Sequence, residues 1–345
     1  MRPAHTPIGV DVGRRMVKAV QLTRDARGWH IAAACVYPRA QPGGAPDEHE
    51  VRRLCGVLER QGFRGRQVVL AAPAPSLVVE AVEVPPRSSG APIEQIARVE
   101  LARVTKLDPD SFEMAAWDLP APARAGSGAH MLAVALPRTD ADACLDLFEG
   151  QGLAVQALDT QAWAMARACR LRAAESSPMI AALDLGWGGA LLVLVHNGQV
   201  IYQRTLAAGE LSTLVADLSK QTGLPLEAIE QLLAATGQSP ETPAALAGSS
   251  VMRLVTQHYL ETTAAELAAS LSYATHRYPE TPVSRVVVMG GGAGIQGLCG
   301  QFAAHLGVPV EPLRPTDVAA CPVEIEERCR HSLASLALGL ALHSE

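Results

Sequence analysis

The most constraining feature of this sequence is a pattern of short apolar runs that occurs twice. Near the start, a run ending in Asp11-Val-Gly13 is followed by two further alternating runs through Val36. The same order returns at 179–206, where the first run ends in Asp184-Leu-Gly186 and Asn197-Gly198 precedes the third. Apolar alternation broken by glycine and polar residues predicts three strands joined by hairpins in each half. We therefore expect two related lobes.

Composition narrows the class of protein. The 345 residues, 48% hydrophobic and 19% charged, suit a globular protein of about two domains. The formal net charge of −6 argues against a general nucleic-acid binder, since phosphate binding needs a basic face. The seven cysteines are scattered and lack C-x-x-C spacing. This favours reduced thiols in a cytoplasmic protein over a zinc site or a disulfide framework.

The apolar segments are too short for a membrane-spanning role. Residues 1–7 lack the apolar core of a signal peptide. The segment 332–342 is far shorter than the ~20 apolar residues of a spanning helix, and Gly339 interrupts it. We expect no direct membrane span, so that any role at a membrane depends on a partner.

Outside the two strand triplets, apolar periodicity predicts alternating helices and strands, as in a layered α/β protein. Predicted helices lie at 47–60, 92–104, 140–150, 160–173, 210–221, 226–236, 249–278, 296–306 and 329–343. Further predicted strands lie at 68–72, 77–84, 112–119, 131–136, 154–159, 284–289 and 308–310.

The two hairpin turns are the first candidates for chemistry. The first reads Asp11-x-Gly13 with Lys18 downstream, and the second reads Asp184-x-Gly186-x-Gly188-Gly189. Glycine in a turn lets backbone N–H groups approach phosphate, and an aspartate at a strand end can hold Mg²⁺ or its water shell. Two such turns facing each other would clamp a polyphosphate. The alternative for each is an ordinary hairpin with a surface aspartate, and for Lys18 a solvated side chain.

A third glycine-rich segment follows the predicted strand 284–289. Gly290-Gly-Gly-Ala-Gly294 with Gly297 lies between that strand and a helix, where unpaired N–H groups can bind an anion. It matches the dinucleotide fingerprint G-x-G-x-x-G only loosely and has no downstream acid, which disfavours a dinucleotide site. The alternative is close packing of the helix on the strand.

In this order the three motifs resemble the phosphate-1, phosphate-2 and adenosine motifs of the actin-like ATPase superfamily. A closer resemblance, covering nearly the whole chain, is to PilM-like type IV pilus assembly proteins, relatives of the division protein FtsA. It rests on the order and spacing of segments 68–76, 92–103, 157–168, 195–205 and 266–273.

The resemblance implies an α/β actin-like ATPase fold with two lobes around a nucleotide cleft. It divides the chain into a first lobe at 1–175, with an inserted subdomain at about 73–150, and a second lobe at 176–345. The terminal helix at about 329–343 would pack back near the cleft.

The resemblance also implies a function. PilM-like proteins bind ATP with Mg²⁺, and bind the cytoplasmic N-terminal tail of the inner-membrane protein PilN in a groove beside the inserted subdomain. We accordingly expect a cytoplasmic protein held at the inner membrane by that partner and by other pilus platform proteins. Whether it forms homo-oligomers or filaments stays open.

Residue by residue, the resemblance places the metal at Asp11 and Asp184. The positions expected to bind nucleotide are Asp11, Gly13, Arg14, Lys18, Asp184, Gly186, Gly188, Gly189, Gly209, Glu230, Gly290, Gly291 and Gly292.

The sequence departs from the family pattern where phosphate chemistry would occur. Arg14 and Arg15 replace the usual hydroxyl residue of the phosphate-1 turn, and Ala190 stands where phosphate-2 turns typically end in threonine. Gly209 lacks its usual glycine neighbour, and Leu233 replaces the lysine expected after Glu230. ATP binding is therefore favoured over hydrolysis. Two alternatives stay open: a pseudo-ATPase scaffold without nucleotide, and a small-metabolite kinase, for which no general-base carboxylate is evident.

Overall fold

The computed structural model describes residues 5–120, 129–170, 179–236, 250–295 and 297–344. The expected boundary between lobes at 175–176 lies outside these residues. Strands are β1 Ile8–Val12, β2 Met16–Asp25, β3 Gly28–Pro38, β4 Gln67–Ala71, β5 Val78–Val84, β6 Phe112–Asp118, β7 Ala129–Pro137, β8 Ala154–Asp159, β9 Met179–Gly186, β10 Gly189–His196, β11 Gln199–Leu206, β12 Val283–Met289 and β13 Val310–Pro312. Helices are α1 Glu48–Arg60, α2 Ile93–Thr105, α3 Arg138–Glu149, α4 Gln161–Arg170, α5 Leu211–Thr222, α6 Leu226–Thr236, α7 Ser250–Arg277, α8 Leu298–Leu306, α9 Val323–Cys329 and α10 Ser335–Ala341.

Two five-stranded sheets repeat one topology, as the doubled sequence pattern predicts. The first has the order β3-β2-β1-β4-β8 and the second β11-β10-β9-β12-β13. In each, an antiparallel hairpin triplet comes first, and the strand that opens the triplet then pairs in parallel with a later strand. Both triplets are confirmed, and the repeat places Asp11 and Asp184 at equivalent positions on central strands.

The outer face of the first sheet packs on α1 and α3 through a cluster that includes Val10, Leu54 and Phe148. Helix α1 forms where the sequence predicts it. Asp47 caps it by accepting a 2.8 Å hydrogen bond from the Glu50 N–H, and acidic residues occupy its first turn. The cap and the apolar stripe fix the position of α1 beneath the first hairpin.

A small subdomain is inserted between β4 and β8. It contains the three-stranded antiparallel sheet β5-β7-β6, on which α2 packs with its own core around Ala97, Leu101 and Phe112. Strands β5 and β6 and helix α2 each bury one face, whereas β7, in the middle of the sheet, is buried from Met131 to Leu136.

The central core lies between the two large sheets and holds α4 and α10. One buried cluster joins residues of the first sheet such as Val20, residues of α4 and α10 such as Met165 and Leu338, and residues of the second sheet such as Val193. The outer face of the second sheet packs on α5, α7 and α8.

The predicted helix at 329–343 is wrong in its extent. Helix α9 precedes it and ends at Cys329, a short 3₁₀ turn covers Ser332–Ala334, and α10 follows. The backbone breaks because the Ser332 carbonyl accepts a 3.2 Å hydrogen bond from the Gly290 N–H, and the Ser335 hydroxyl donates to the Leu313 carbonyl at 2.7 Å. Strand β13 is also two residues later than predicted.

Candidate functional site

The first hairpin turn places a buried aspartate beside a lysine. Asp11 is directly opposite Lys18 in the β1–β2 register, and Lys18 Nζ lies 2.8 Å from Asp11 Oδ2. Both side chains are largely buried, at 13% and 7% exposure for Lys18 and Asp11. A Cβ on Gly13 would lie 2.6 Å from Lys18 Nζ, so glycine leaves the room that the ammonium group occupies.

The second hairpin turn is equally tight. Gly186 pairs with Gly189 across the turn, and a Cβ on Gly186 would lie 2.9 Å from the Gly189 carbonyl oxygen. A Cβ on Gly188 would overlap the Arg14 side chain from the other lobe. The two turns therefore contact each other.

Asp184 is the electrostatically perturbed group of the site. Its pKa is raised to about 6, chiefly by burial and next by the negative charge of Asp11, while Lys18 opposes both effects. A bound cation here would relieve the repulsion that Asp184 experiences from Asp11.

The third glycine-rich segment closes over Asp184. Gly290 has φ +80° and ψ −174°, a conformation open essentially to glycine alone. A Cβ there would overlap Asp184 Oδ1 and lie 2.7 Å from the Leu185 carbonyl oxygen. Gly291–Gly294 then forms a 3₁₀ turn. The backbone can approach the carboxylate this closely only because side chains are absent.

The three segments line one cavity of 2250 Å³. Eleven of the residues expected to bind nucleotide line it: Asp11, Gly13, Arg14, Lys18, Asp184, Gly186, Gly188, Gly189, Glu230, Gly290 and Gly291. The cavity continues from the cleft along Ala72–Leu77 and along α3, where Ala143, Cys144 and Leu147 line it. The structure thus brings together motifs that lie up to 279 positions apart in the sequence, from Asp11 to Gly290.

Gly209 and Gly292 are not among the residues that line the cavity. Gly209 packs behind the second hairpin, where a Cβ would overlap Ala190, and its carbonyl accepts a 2.9 Å hydrogen bond from the Tyr259 hydroxyl. Gly292 is buried against Leu185. At both positions glycine permits close packing of the layer that supports the turns.

The arginines of the first turn reach across the cleft. Arg15 forms an ion pair with Glu230 on α6, and its guanidinium lies 4.5 Å from the centroid of the Trp187 ring. Glu230, expected at the nucleotide base, is therefore engaged by Arg15. Sequence reasoning noted Arg15 only as a departure and did not identify Trp187, because the signal for this contact lies in three distant segments.

A buried ion pair supports the first turn from below. Arg39 Nε lies 3.5 Å from Glu50 Oε2, and both side chains are almost fully buried. Arg39 Nη1 donates to the Gly44 carbonyl at 2.6 Å, and the Arg39 and Gly43 N–H groups donate to the Arg15 and Arg14 carbonyls at 2.8 Å. The loop 38–46 thus holds the turn's carbonyls away from the cleft. Its Pro/Gly composition predicted a loop, but nothing local signalled the burial of Arg39.

Among the described residues, no group of three or more His, Cys, Asp or Glu side chains is placed to hold a metal ion. Asp11 and Asp184 form a pair, which suits a cation that takes its remaining ligands from water and phosphate, as Mg²⁺ does. Within the same residues, no helix has both the length and the apolar character needed to cross a bilayer.

Known structures share this fold. The chain resembles that of a "PilM-PilN type IV pilus biogenesis complex", with a TM-score of 0.77, 21% identity and 98% of each chain covered. It also resembles ethanolamine utilization protein EutJ from Carboxydothermus hydrogenoformans, with a TM-score of 0.57, 17% identity and coverage of 99% of this chain and 90% of that one. MreB5 of Spiroplasma citri bound to AMPPNP gives a TM-score of 0.54, 13% identity and coverage of 98% and 95%.

These likenesses confirm the actin-like ATPase fold expected from the three glycine-rich motifs. The sequence itself matches the model of the family described as "Type IV pilus assembly protein PilM" over residues 9–345, almost its whole length. The chain therefore belongs to the PilM family of type IV pilus assembly proteins.

Proposed function

We propose that this protein is a cytoplasmic ATP-binding adaptor of a type IV pilus assembly platform, held at the inner membrane by the N-terminal tail of a PilN-like protein. The observation that carries the nucleotide part is the convergence of three glycine-rich turns with Asp11 and Asp184 on one cleft. Membership of the PilM family and the likeness to a PilM–PilN complex support the partner. The AMPPNP-bound MreB5 has the same fold and supports the ligand class.

The residues of the cleft fit a magnesium nucleotide. Asp11 and Asp184 would hold the metal or its water shell, and the metal's charge would offset the repulsion that raises the pKa of Asp184. Lys18, already beside Asp11, would bind phosphate oxygens as a charged donor. The backbone of the two hairpin turns and of 290–291 would face the phosphates and ribose, since glycine there admits a ligand. Magnesium supplies charge neutralisation of the phosphates when it is bound.

The proposal is for binding and not for turnover. Hydrolysis requires a group that orients or activates water at the terminal phosphate. The turn that carries a hydroxyl residue in the family carries Arg14 and Arg15 here, and both reach the opposite lobe.

Calorimetric titration of the purified protein with MgATP tests nucleotide binding. We expect saturable binding that is lost in Asp11→Asn together with Asp184→Asn, because the metal loses both carboxylates. Glu59→Gln, an exposed acid paired with Arg66 at 3.1 Å, serves as the control and should bind as the wild type does. A wild-type protein that gives no heat with ATP, ADP or AMPPNP at any magnesium concentration contradicts this part.

The cavity's extension along α3 is the site we propose for the partner's tail. It is lined by Ala72–Leu77 and, on α3, by Ala143, Cys144 and Leu147, beside the inserted subdomain. This surface is lined mainly by apolar side chains, which suits a peptide whose apolar side chains fill pockets along it.

A variant pair on α3 tests this placement. Ala143 is exposed and lines the cavity, whereas its exposed neighbour Asp142 does not. We expect Ala143→Arg to abolish binding of a fluorescent peptide copied from the cytoplasmic tail of the neighbouring PilN-like gene product, and Asp142→Arg to leave it unchanged. Equal binding by both variants would place the tail elsewhere.

A further inference from the structure

One ion pair joins the two lobes across the mouth of the nucleotide cleft. Arg15 lies in the turn between β1 and β2, and Glu230 lies on α6 of the second lobe, 215 positions away. Their side chains are 30% and 26% exposed, so water reaches the pair and keeps the contact exchangeable.

The second hairpin is part of the same contact. The Arg15 guanidinium stacks 4.5 Å from the centroid of the Trp187 ring, within cation–π range. The aliphatic part of Arg14 lies against Gly188, at a distance that only a missing Cβ allows. Two consecutive arginines of one turn thus hold the opposite turn and α6. We call Arg15, Trp187 and Glu230 the clasp.

The clasp and a nucleotide's phosphates would compete for one cation. Arg15 stands beside Arg14 in the phosphate-1 turn and lines the same cavity as Gly13, so phosphates bound at that turn would lie within reach of its side chain. A guanidinium group binds a phosphate group bidentately, and a phosphate group carries more negative charge than a single carboxylate. Arg15 cannot keep the same donors on Glu230 and give them to phosphate.

We propose that Arg15 exchanges between Glu230 and the nucleotide phosphates. The clasp then holds the two lobes together when no nucleotide is bound, and it favours binding of the more highly charged nucleotide. The proposal rests on the proposed ATP binding. Breaking the Arg15–Glu230 ion pair costs every nucleotide the same free energy of binding. A nucleotide recovers that free energy only if its phosphates at the first turn carry enough charge to bind Arg15, and a triphosphate does so better than a diphosphate.

The first experiment measures affinity for MgATP and MgADP by calorimetry. Glu230→Gln keeps the shape of the side chain and frees Arg15, so ATP binding should tighten about twofold to fivefold, the range for a partly exposed ion pair. Arg15→Ser should reduce the preference for ATP over ADP. Glu59→Gln, which alters an exposed Arg–Glu pair away from the cleft, should change neither affinity.

Three results would overturn the proposal. Weaker ATP binding by Glu230→Gln would mean that Glu230 itself holds the nucleotide. An unchanged ATP affinity in Glu230→Gln, or an unchanged ATP:ADP ratio in Arg15→Ser, would mean that Arg15 does not exchange.

A second experiment uses the nucleotide-free protein and separates this inference from the failure of ATP binding. Hydrogen exchange of the turn at 186–189 is followed in Arg15→Glu, Glu230→Arg and the doubly swapped variant. Each single variant should exchange faster, and the swap should restore protection because opposite charges again face each other. The swapped protein should nevertheless bind ATP poorly, since an acid then stands at the phosphate turn. Protection that does not return on swapping contradicts the clasp, whether or not the wild type binds ATP.

Discussion

At the scale of single residues, Asp184 is a carboxyl group whose ionisation is unfavourable in the folded protein. Burial and the neighbouring Asp11 raise its pKa from 3.8 to about 6, and the compensation from Lys18 is incomplete. A charge kept where it is unfavourable is typical of a functional site, because a ligand can then supply the missing counter-charge.

This cost predicts a pH-dependent stability. The folded carboxyl keeps its proton up to about pH 6, whereas the unfolded one loses it near pH 3.8. Since the folded state binds more protons in that window, the free energy of unfolding falls as pH rises from about 4 to 6 and stays reduced above it.

Asp184→Asn mimics the neutral form. With EDTA present, its thermal midpoint should exceed that of the wild type at pH 7.5, and the gap should close by pH 4. A variant less stable than the wild type at pH 7.5 would contradict this assignment.

Gly290 gives a second prediction at this scale. A side chain there meets the Asp184 carboxylate and requires φ +80° with extended ψ. We expect Gly290→Ala to lower the free energy of unfolding by about 1–3 kcal/mol, the usual cost of such a conformation. Gly294→Ala is the matched control, because no atom lies within 4 Å of its Cβ and its φ is not positive. Urea unfolding of both variants measures the difference. Equal urea midpoints for Gly290→Ala and Gly294→Ala would show that the segment 290–294 relaxes to accept the side chain.

Residue pairs were the least predictable part of the site. The glycines and aspartates at the turns follow from local pattern, because strand ends and turns have their own residue preferences. The pairing of Arg15 with Glu230 does not, since it depends on where α6 packs, which no local pattern specifies. Arg39 is similar: an arginine after a strand predicts exposure, and only the fold buries it against Glu50.

At the scale of elements, the first turn depends on a buried pair below it. Arg39 and Glu50 connect the loop 38–46 to α1, yet Arg39 Nε and Glu50 Oε1 have no hydrogen-bond partner within the described residues. Such a pair adds little net stability but makes the loss of one member costly.

We therefore expect Arg39→Met to destabilise the protein by about 3 kcal/mol, because Glu50 stays buried and keeps only the more distant Arg53, at 3.7 Å, as a cationic partner. Adding Glu50→Leu should recover most of the loss. The control is Arg52→Met, since Arg52 pairs with Glu48 at 3.9 Å on the surface of the same helix, and its loss should cost at most about 0.5 kcal/mol. Urea titrations followed by circular dichroism measure all three. A double variant as unstable as the single one would show that Arg39 acts through its other contacts, such as its hydrogen bond to the Gly44 carbonyl.

Element boundaries followed from sequence where caps and periodicity agree, as at α1. They failed at 329–343, where one continuous apolar stretch predicted one helix. The break between α9 and α10 is set by tertiary hydrogen bonds from Ser332 and Ser335 to the second lobe. Local propensity cannot anticipate such bonds, because the partner strands lie elsewhere in the chain.

At the scale of the whole molecule, α10 and α4 make the two large sheets one folding unit. A single apolar cluster runs from the first sheet through these helices to the second. The contacts are close because one partner in each is glycine. A Cβ on Gly9 of β1 would overlap the Ala337 carbonyl, and one on Gly339 would overlap the Ala164 carbonyl. The doubled topology was predictable from the repeated motif, but this backbone-to-backbone approach was not.

Gly339→Ala tests whether this approach couples the lobes. The added methyl group meets backbone of α4, which cannot rotate away, so overpacking should cost about 2–3 kcal/mol. Because α10 packs on the first sheet and on α4, which in turn contacts the second sheet, the loss should appear in one transition, with tryptophan fluorescence and circular dichroism coinciding. Gly300→Ala, in α8 with no atom within 4 Å of the new Cβ, should instead stabilise the protein by up to about 1 kcal/mol. Two separate transitions in Gly339→Ala would show that the lobes unfold independently and that α10 belongs to one of them.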